Sequence, residues 1–269
     1  MIEHSQANKW RELEVMITVK AYPNPSRKYV EASCTAGITR DGQWIRLYPV
    51  KFRTLDSEQQ FSKYTWVRVR VCKASDPRPE SFTVDMDSIQ VIRRVGTAQA
   101  WAERKAILYP LRDLSMCSLQ SAREAGGRSL GFIRPKEIIR LEIRPTSPHW
   151  TPAELACLRQ QSFFDADSSP AELEKIPYDF FYHFRCEDPH CNSHRMKVVD
   201  WEICQSYRSW FQRYGDDWQE KLREKYERQM RDERDTHFFV GTMLKHPQSW
   251  IIVGLFYPPK VSAEQMSLL

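Results

Sequence analysis

Long apolar runs are missing from this sequence: no stretch approaches the roughly 20 residues that a membrane helix needs. The opening MIEHSQANKW has neither the basic nor the apolar segment of a secretory leader. Both absences predict a soluble, cytoplasmic protein. Glycine is scarce, with 9 in 269 residues, and neither a low-complexity tract nor an internal repeat is present. Also missing are the G-x-S-x-G, Walker A, H-E-x-x-H and G-x-G-x-x-G signatures, and the H-x-E with P-C-x-x-C pair of zinc deaminases. The usual nucleophile-elbow, nucleotide and zincin chemistries therefore have no sequence support. A paired disulfide framework is absent too. The 7 cysteines are an odd number, and Cys34, Cys72, Cys117 and Cys157 stand singly in apolar segments, as reduced core thiols do.

What is present is an ordinary globular composition, 41% hydrophobic and 28% charged, with 9 tryptophans in excess. The length fits one large or two modest domains. The formal charge of +5 is unevenly spread. Residues 1–150 hold 25 lysines and arginines against 16 acids, whereas residues 151–269 hold 15 against 19. The first half is basic and the second mildly acidic.

Alternation of apolar and polar residues predicts strands at 15–20, 28–39, 44–50, 64–73 and 88–95, with Asp41-Gly42 as a hairpin turn. Five strands with short links suggest a small closed or nearly closed barrel. Helical spacing follows over 97–108 and 111–124, stopped by Gly126-Gly127. Strand character resumes at 135–144, then a short helix opens at Thr151-Pro152, and DADSSPAELEKIP reads as a loop. The order of strands and one long helix over the remainder is that of an OB fold. The expected architecture is α+β and β-rich: two OB-like barrels, 1–96 and 129–269, joined by a helical connector, 97–128. The helix expected from about Trp210 to Arg234 carries a narrow stripe of Trp218, Leu222, Tyr226 and Met230. That stripe docks one seam against the protein or serves a partner chain.

The strongest local pattern is FRCEDPHCNSHRMKVVDWEIC. Cys186, Cys191, His194 and Cys204 offer sulfur and imidazole donors suited to tetrahedral zinc, and Asp188-Pro189 supplies a turn between the first two. His190 is an alternative to His194 or Cys204, and an iron–sulfur site recruiting Cys157 or Cys117 is an alternative to zinc. A catalytic metal would need an open position and a nearby carboxylate, for which Asp200 and Glu202 are available. Asp232, Glu233, Asp235 and His237, at the end of the long helix, form a further group that a metal-dependent hydrolase of nucleic acid or nucleotides could use.

A second pattern lies on the first barrel. Trp44, Arg46 and Tyr48 share one face of their strand, and Trp66, Arg68 and Arg70 share one face of theirs. Aromatic planes stack on bases while arginines follow phosphates, so these six residues are the expected contacts for single-stranded DNA or RNA. A protein-interaction module presenting its tryptophans is the remaining alternative.

The stretch EASCTAGITRDGQWIRLYPV resembles the opening strands of the bacterial dual OB-containing domain. Cys34, Ala36 and Gly37 lead through a turn to Trp44, Ile45 and Arg46, as in that family. The resemblance covers about 20 of the 269 residues. It implies a nucleic-acid-associated double barrel of bacterial or phage origin without a defined enzymatic role, and it does not extend to the cysteine cluster.

Overall fold

Alternating apolar residues over 11–20 and 30–39 give the first two long strands of a computed structural model that describes residues 9–53, 55–159 and 173–260. The strands are β1 (Arg11–Lys20), β2 (Asn24–Ser26), β3 (Val30–Thr39), β4 (Trp44–Val50), β5 (Thr65–Lys73), β6 (Ser81–Val84) and β7 (Gln90–Arg94), followed by β8 (Leu130–Ile133), β9 (Pro135–Pro145), β10 (Tyr178–Cys186), β11 (His194–Val198), β12 (His237–Thr242) and β13 (Trp250–Phe256). The helices are α1 (Ala98–Leu108), α2 (Met116–Glu124), α3 (Pro152–Arg159), α4 (Trp201–Tyr214), α5 (Trp218–Arg223) and α6 (Met230–Asp232). Much of the loop expected over 165–177 lies outside the described residues.

Two units result: Met1–Arg94 with Pro145–Tyr178, and Val95–Arg144 with Asp179–Leu269. In the first, the sheet order β1-β3-β4-β6-β5 returns to β1 through a β1–β5 pairing, so five strands close into a barrel. All neighbours are antiparallel except β4 and β6, which run parallel. Val15, Ile17, Ala36, Ile38, Ile45, Leu47, Val67, Val69 and Val71 are buried, which is the inward face of the alternation. The segment 145–178 belongs to this unit: α3 packs on β2 and β3, and the Tyr22 hydroxyl donates to the Glu174 carbonyl at 2.7 Å.

The fifth barrel strand differs from the expectation. It is β6, SFTV, which pairs with residues 71–73 of β5, while β7, the strand expected at 88–95, pairs with residues 65–68 of the same β5 outside the closed circle. Four residues are too few for alternation to mark a strand, so the closing element has no sequence signature.

The second unit is built on a six-stranded sheet, β8-β12-β13-β11-β10-β9, with β11 and β13 parallel. Among the described residues no pairing joins β8 to β9, so the sheet is open where a second barrel was expected. Its core is aromatic. Phe132 stacks on His237 and on Phe239, with ring centroids 4.9 and 4.7 Å apart, and Tyr182 stacks on Phe238 at 4.9 Å.

The long helix also differs. It begins at Trp201 and breaks at Gly215, whose φ of 53° suits glycine, before resuming as α5, a π-helical turn over Glu224–Gln229, and α6. The stripe Trp218, Leu222, Tyr226 and Met230 is buried within the unit. Tyr182 donates its hydroxyl to the Tyr226 carbonyl and lies 3.1 Å from the Met230 sulfur. The seam is therefore consumed by the protein's own core. No described helix is long and apolar enough to cross a membrane.

Candidate metal centre

Four donors converge in the second unit: Cys117, Cys186, Cys191 and His194, with their ligand atoms all within 4.8 Å of one another. Cys186 ends β10, His194 opens β11, and Cys191 lies in the turn between them. Asp188 shapes that turn: its carboxylate accepts from the His190 amide at 2.8 Å and its carbonyl from the Cys191 amide at 3.1 Å. The β10–β11 pairing sets Phe184 opposite His194, which brings the histidine back over the cysteines. Cys117 arrives from the first turn of α2. There Ser115 caps the helix, its hydroxyl accepting from the Ser118 amide at 2.9 Å while the Ser118 hydroxyl accepts from the Ser115 amide at 3.1 Å.

The distances are those of ligands around one ion. His194 Nε2 lies 3.5 Å from Cys117 Sγ, 3.4 Å from Cys186 Sγ and 3.3 Å from Cys191 Sγ, and the Cys117 and Cys186 sulfurs are 3.6 Å apart. Zinc bonds of about 2.3 Å to sulfur and about 2.0 Å to nitrogen place tetrahedral ligands roughly 3.5 to 3.8 Å apart. The cluster is at that spacing, slightly contracted.

Electrostatics at the cluster is uneven. Burial opposes ionisation of Cys186, but hydrogen bonds from the backbone amides of Cys117 and Asp188, and from His194 and Cys191, outweigh it and lower the thiol to about 6. Burial and the neighbouring Cys186 and Cys191 raise Cys117 to about 12. Crowded sulfurs cannot all ionise without a cation to neutralise them, and thiolates are the form that binds metal.

Three of the four expected ligands are thus brought together, and the fourth is corrected. Cys204 lies in the first turn of α4, fully buried, its thiol pushed up by burial and apart from the cluster. Cys117 takes its place, a residue the sequence offered only for an iron–sulfur alternative. Cys157 belongs to the first unit, where its thiol donates to the Ala153 carbonyl at 3.2 Å. His190 is exposed and is not among the four. The separation of 69 residues between Cys117 and Cys186 puts the pairing beyond any local spacing rule. The only local trace is the serine cap that places a cysteine in a helix's first turn.

The carboxylates near the cluster serve the fold. Asp200 caps α4, accepting from the Glu202 amide at 2.7 Å, and its other oxygen accepts from the Leu255 amide of β13 at 3.0 Å. Asp200→Ala is expected to cost about 2–4 kcal/mol, from a lost cap and a lost buried acceptor. Urea denaturation measures this, and a loss under about 0.5 kcal/mol would deny the residue its anchoring role. His237 is enclosed between Tyr109 and Phe132. Burial lowers its pKa to about 4, so it is neutral and shielded from substrate at neutral pH.

The six expected nucleic-acid contacts do not form one exposed face. Arg46 and Trp66 are each 3% exposed, and Trp44 is half-buried. Trp66 lies under the Arg40 guanidinium at 3.7 Å, and Arg46 reaches the Cys34 sulfur at 3.4 Å. Arg68 and Arg70 are more open but paired, Arg68 with Glu14 at 2.8 Å and Arg70 with Asp85 at 3.0 Å. Tyr48 is 43% exposed and packs edge-on against Tyr29 at 6.1 Å, with the exposed Lys28 ammonium 5.1 Å from the Tyr29 ring. Lys28 and Tyr29 open the stretch expected as a strand over 28–39, but β3 begins at Val30 and both lie just ahead of it.

A closed five-stranded barrel and a sheet unit with three cysteines and a histidine at metal-ligand spacing define a β-rich α+β protein with a candidate metal centre. Residues 112–269, more than half of the chain, match a domain of unknown function, DUF8757, and the chain belongs to that family. Residues 11–110 match a second domain of unknown function, DUF8758. No curated protein matches the chain.

Proposed function

We propose that this is a zinc-stabilised protein that binds single-stranded nucleic acid through an OB-type barrel in its first unit. The observation that carries the reading is the barrel's strand order. Taken in chain order, its five strands run first, second, third, fifth, fourth and back to the first, a five-stranded Greek key of the kind OB folds use. In that architecture the second and third strands form the binding face. Here they are β3 and β4, and they carry Tyr48, with Tyr29 and Lys28 beside it. An exposed aromatic ring for a base and a cation for a phosphate are what single strands require.

The metal's part is structural. Four protein ligands around a single ion leave no position for water, which is the arrangement of structural zinc. Their close spacing suits one ion better than an iron–sulfur cluster, in which separate irons each take their own ligand. Zinc would fasten α2 to the β10–β11 turn.

Labelled single-stranded DNA and RNA test the reading by fluorescence anisotropy across a salt series. Affinity should fall with salt, Tyr48→Ala should weaken binding roughly 5- to 150-fold, and Lys28→Ala should reduce the salt slope by about 0.7. Arg68→Ala with Arg70→Ala should do less, since both side chains already answer carboxylates. Undetectable or salt-independent binding, or full affinity in Tyr48→Ala, would overturn the proposal.

A further inference from the structure

We propose that the second unit holds a phosphate-binding pocket, a site distinct from both the metal cluster and the barrel face and independent of the nucleic-acid reading. A cavity of about 190 Å³ lies between the start of β9, the end of α6 and the entry to β12. Five of its lining residues are cations: Arg134, Lys136, Arg231, Arg234 and Lys260. The two acids in the lining, Glu137 and Asp235, are already engaged. Glu137 pairs with Arg185 at 2.9 Å, and Asp235 is held by the Tyr109 hydroxyl at 2.5 Å and by Arg134 at 3.2 Å. Arg231 pairs with Asp232 at 3.0 Å. Lys260 donates to the Arg231 and Asp232 carbonyls at 3.1 and 2.9 Å, closing the C-terminal end of the helix.

Arg234 and Lys136 are left over. Among the described residues neither side chain has a hydrogen bond, ion pair or ring contact. A concave site with uncompensated positive charge concentrates anions. A guanidinium beside an ammonium matches phosphate in particular: the fork takes two oxygens and the ammonium a third. A cavity of about 190 Å³ has room for a phosphate group.

Isothermal titration of the full-length, metal-loaded protein with inorganic phosphate tests this. Saturable binding is expected, weakened at least tenfold in Lys136→Glu and lost in Lys136→Glu with Arg234→Glu. Lys136 is exposed and, among the described residues, its side chain has no hydrogen bond or ion pair, so its reversal should leave the fold intact even if the double variant does not fold. Absence of saturable binding, or wild-type binding in Lys136→Glu, would overturn the proposal. The source of the phosphate is read from two further ligands. A nucleoside 5′-monophosphate binding where an unphosphorylated oligonucleotide does not would identify a terminal phosphate. Competition by both would identify the nucleic-acid backbone. Tyr48→Ala should leave inorganic phosphate binding unchanged, which separates this site from the barrel face whichever of the two fails.

Discussion

Replacing Cys117 by serine is expected to strip the metal from the second unit and unfold much of it. Elemental analysis should find about one zinc per wild-type chain and well under one in the variant, because a neutral hydroxyl does not replace a thiolate. The effect should be large. Structural zinc contributes about 10–16 kcal/mol to the folding of small zinc-dependent peptides, and even a fraction of that rivals the total stability of about 5–15 kcal/mol of an ordinary domain. Chelation should act in the same direction, as should acid, which protonates the ligands and releases the ion. Cys204→Ser is the matched control. Its hydroxyl would be buried where the thiol now sits apart from the cluster, so it should keep its zinc while losing about 1–3 kcal/mol. Zinc retained in Cys117→Ser but lost in Cys204→Ser would reverse the ligand assignment.

Gly37→Ala should be the most damaging single change in the barrel. A methyl group there would stand 2.2 Å from the Met16 carbonyl oxygen and 2.8 Å from Val15 Cγ1. The obstacle is backbone, so no side-chain rotation relieves it. Nor can the strand step aside: β3 is held by β1 on one edge, with Gly37 opposite Ile17, and by β4 on the other, with Gly37 opposite Ile45. The loss should reach or exceed the upper end of ordinary overpacking, about 3 kcal/mol. It should appear as a lowered denaturation midpoint and altered near-ultraviolet dichroism from Trp44 and Trp66. Zinc content should persist, since the cluster belongs to the other unit. Stability within about 0.5 kcal/mol of wild type would show that the β1–β3 pairing is looser than this geometry requires.

Much of the strand set was legible because alternation is a local property. Val15, Ile17 and Val19, or Val67, Val69 and Val71, announce a face by their own spacing, and Asp41-Gly42 announces the hairpin between β3 and β4. Cys186, Cys191 and His194 were legible for the same reason, lying within nine residues around one turn. The faces themselves were not. Alternation says that Trp66, Arg68 and Arg70 point the same way, but Arg40 covers Trp66 and Glu14 answers Arg68 from another strand. Which side of a strand meets solvent depends on what lies over it.

By itself, then, the sequence determined a β-rich α+β protein, the positions of most strands, and a turn with three metal-type donors. Tertiary structure decided the closure of the barrel through SFTV, the open second sheet, the burial of Arg46 and Trp66, and the choice of Cys117 over Cys204. The physical reason is range. Periodicity and ligand spacing are written in neighbouring residues, whereas closure, covering and the fourth ligand each join residues far apart in the chain, where only packing and long-range hydrogen bonding can select the partner.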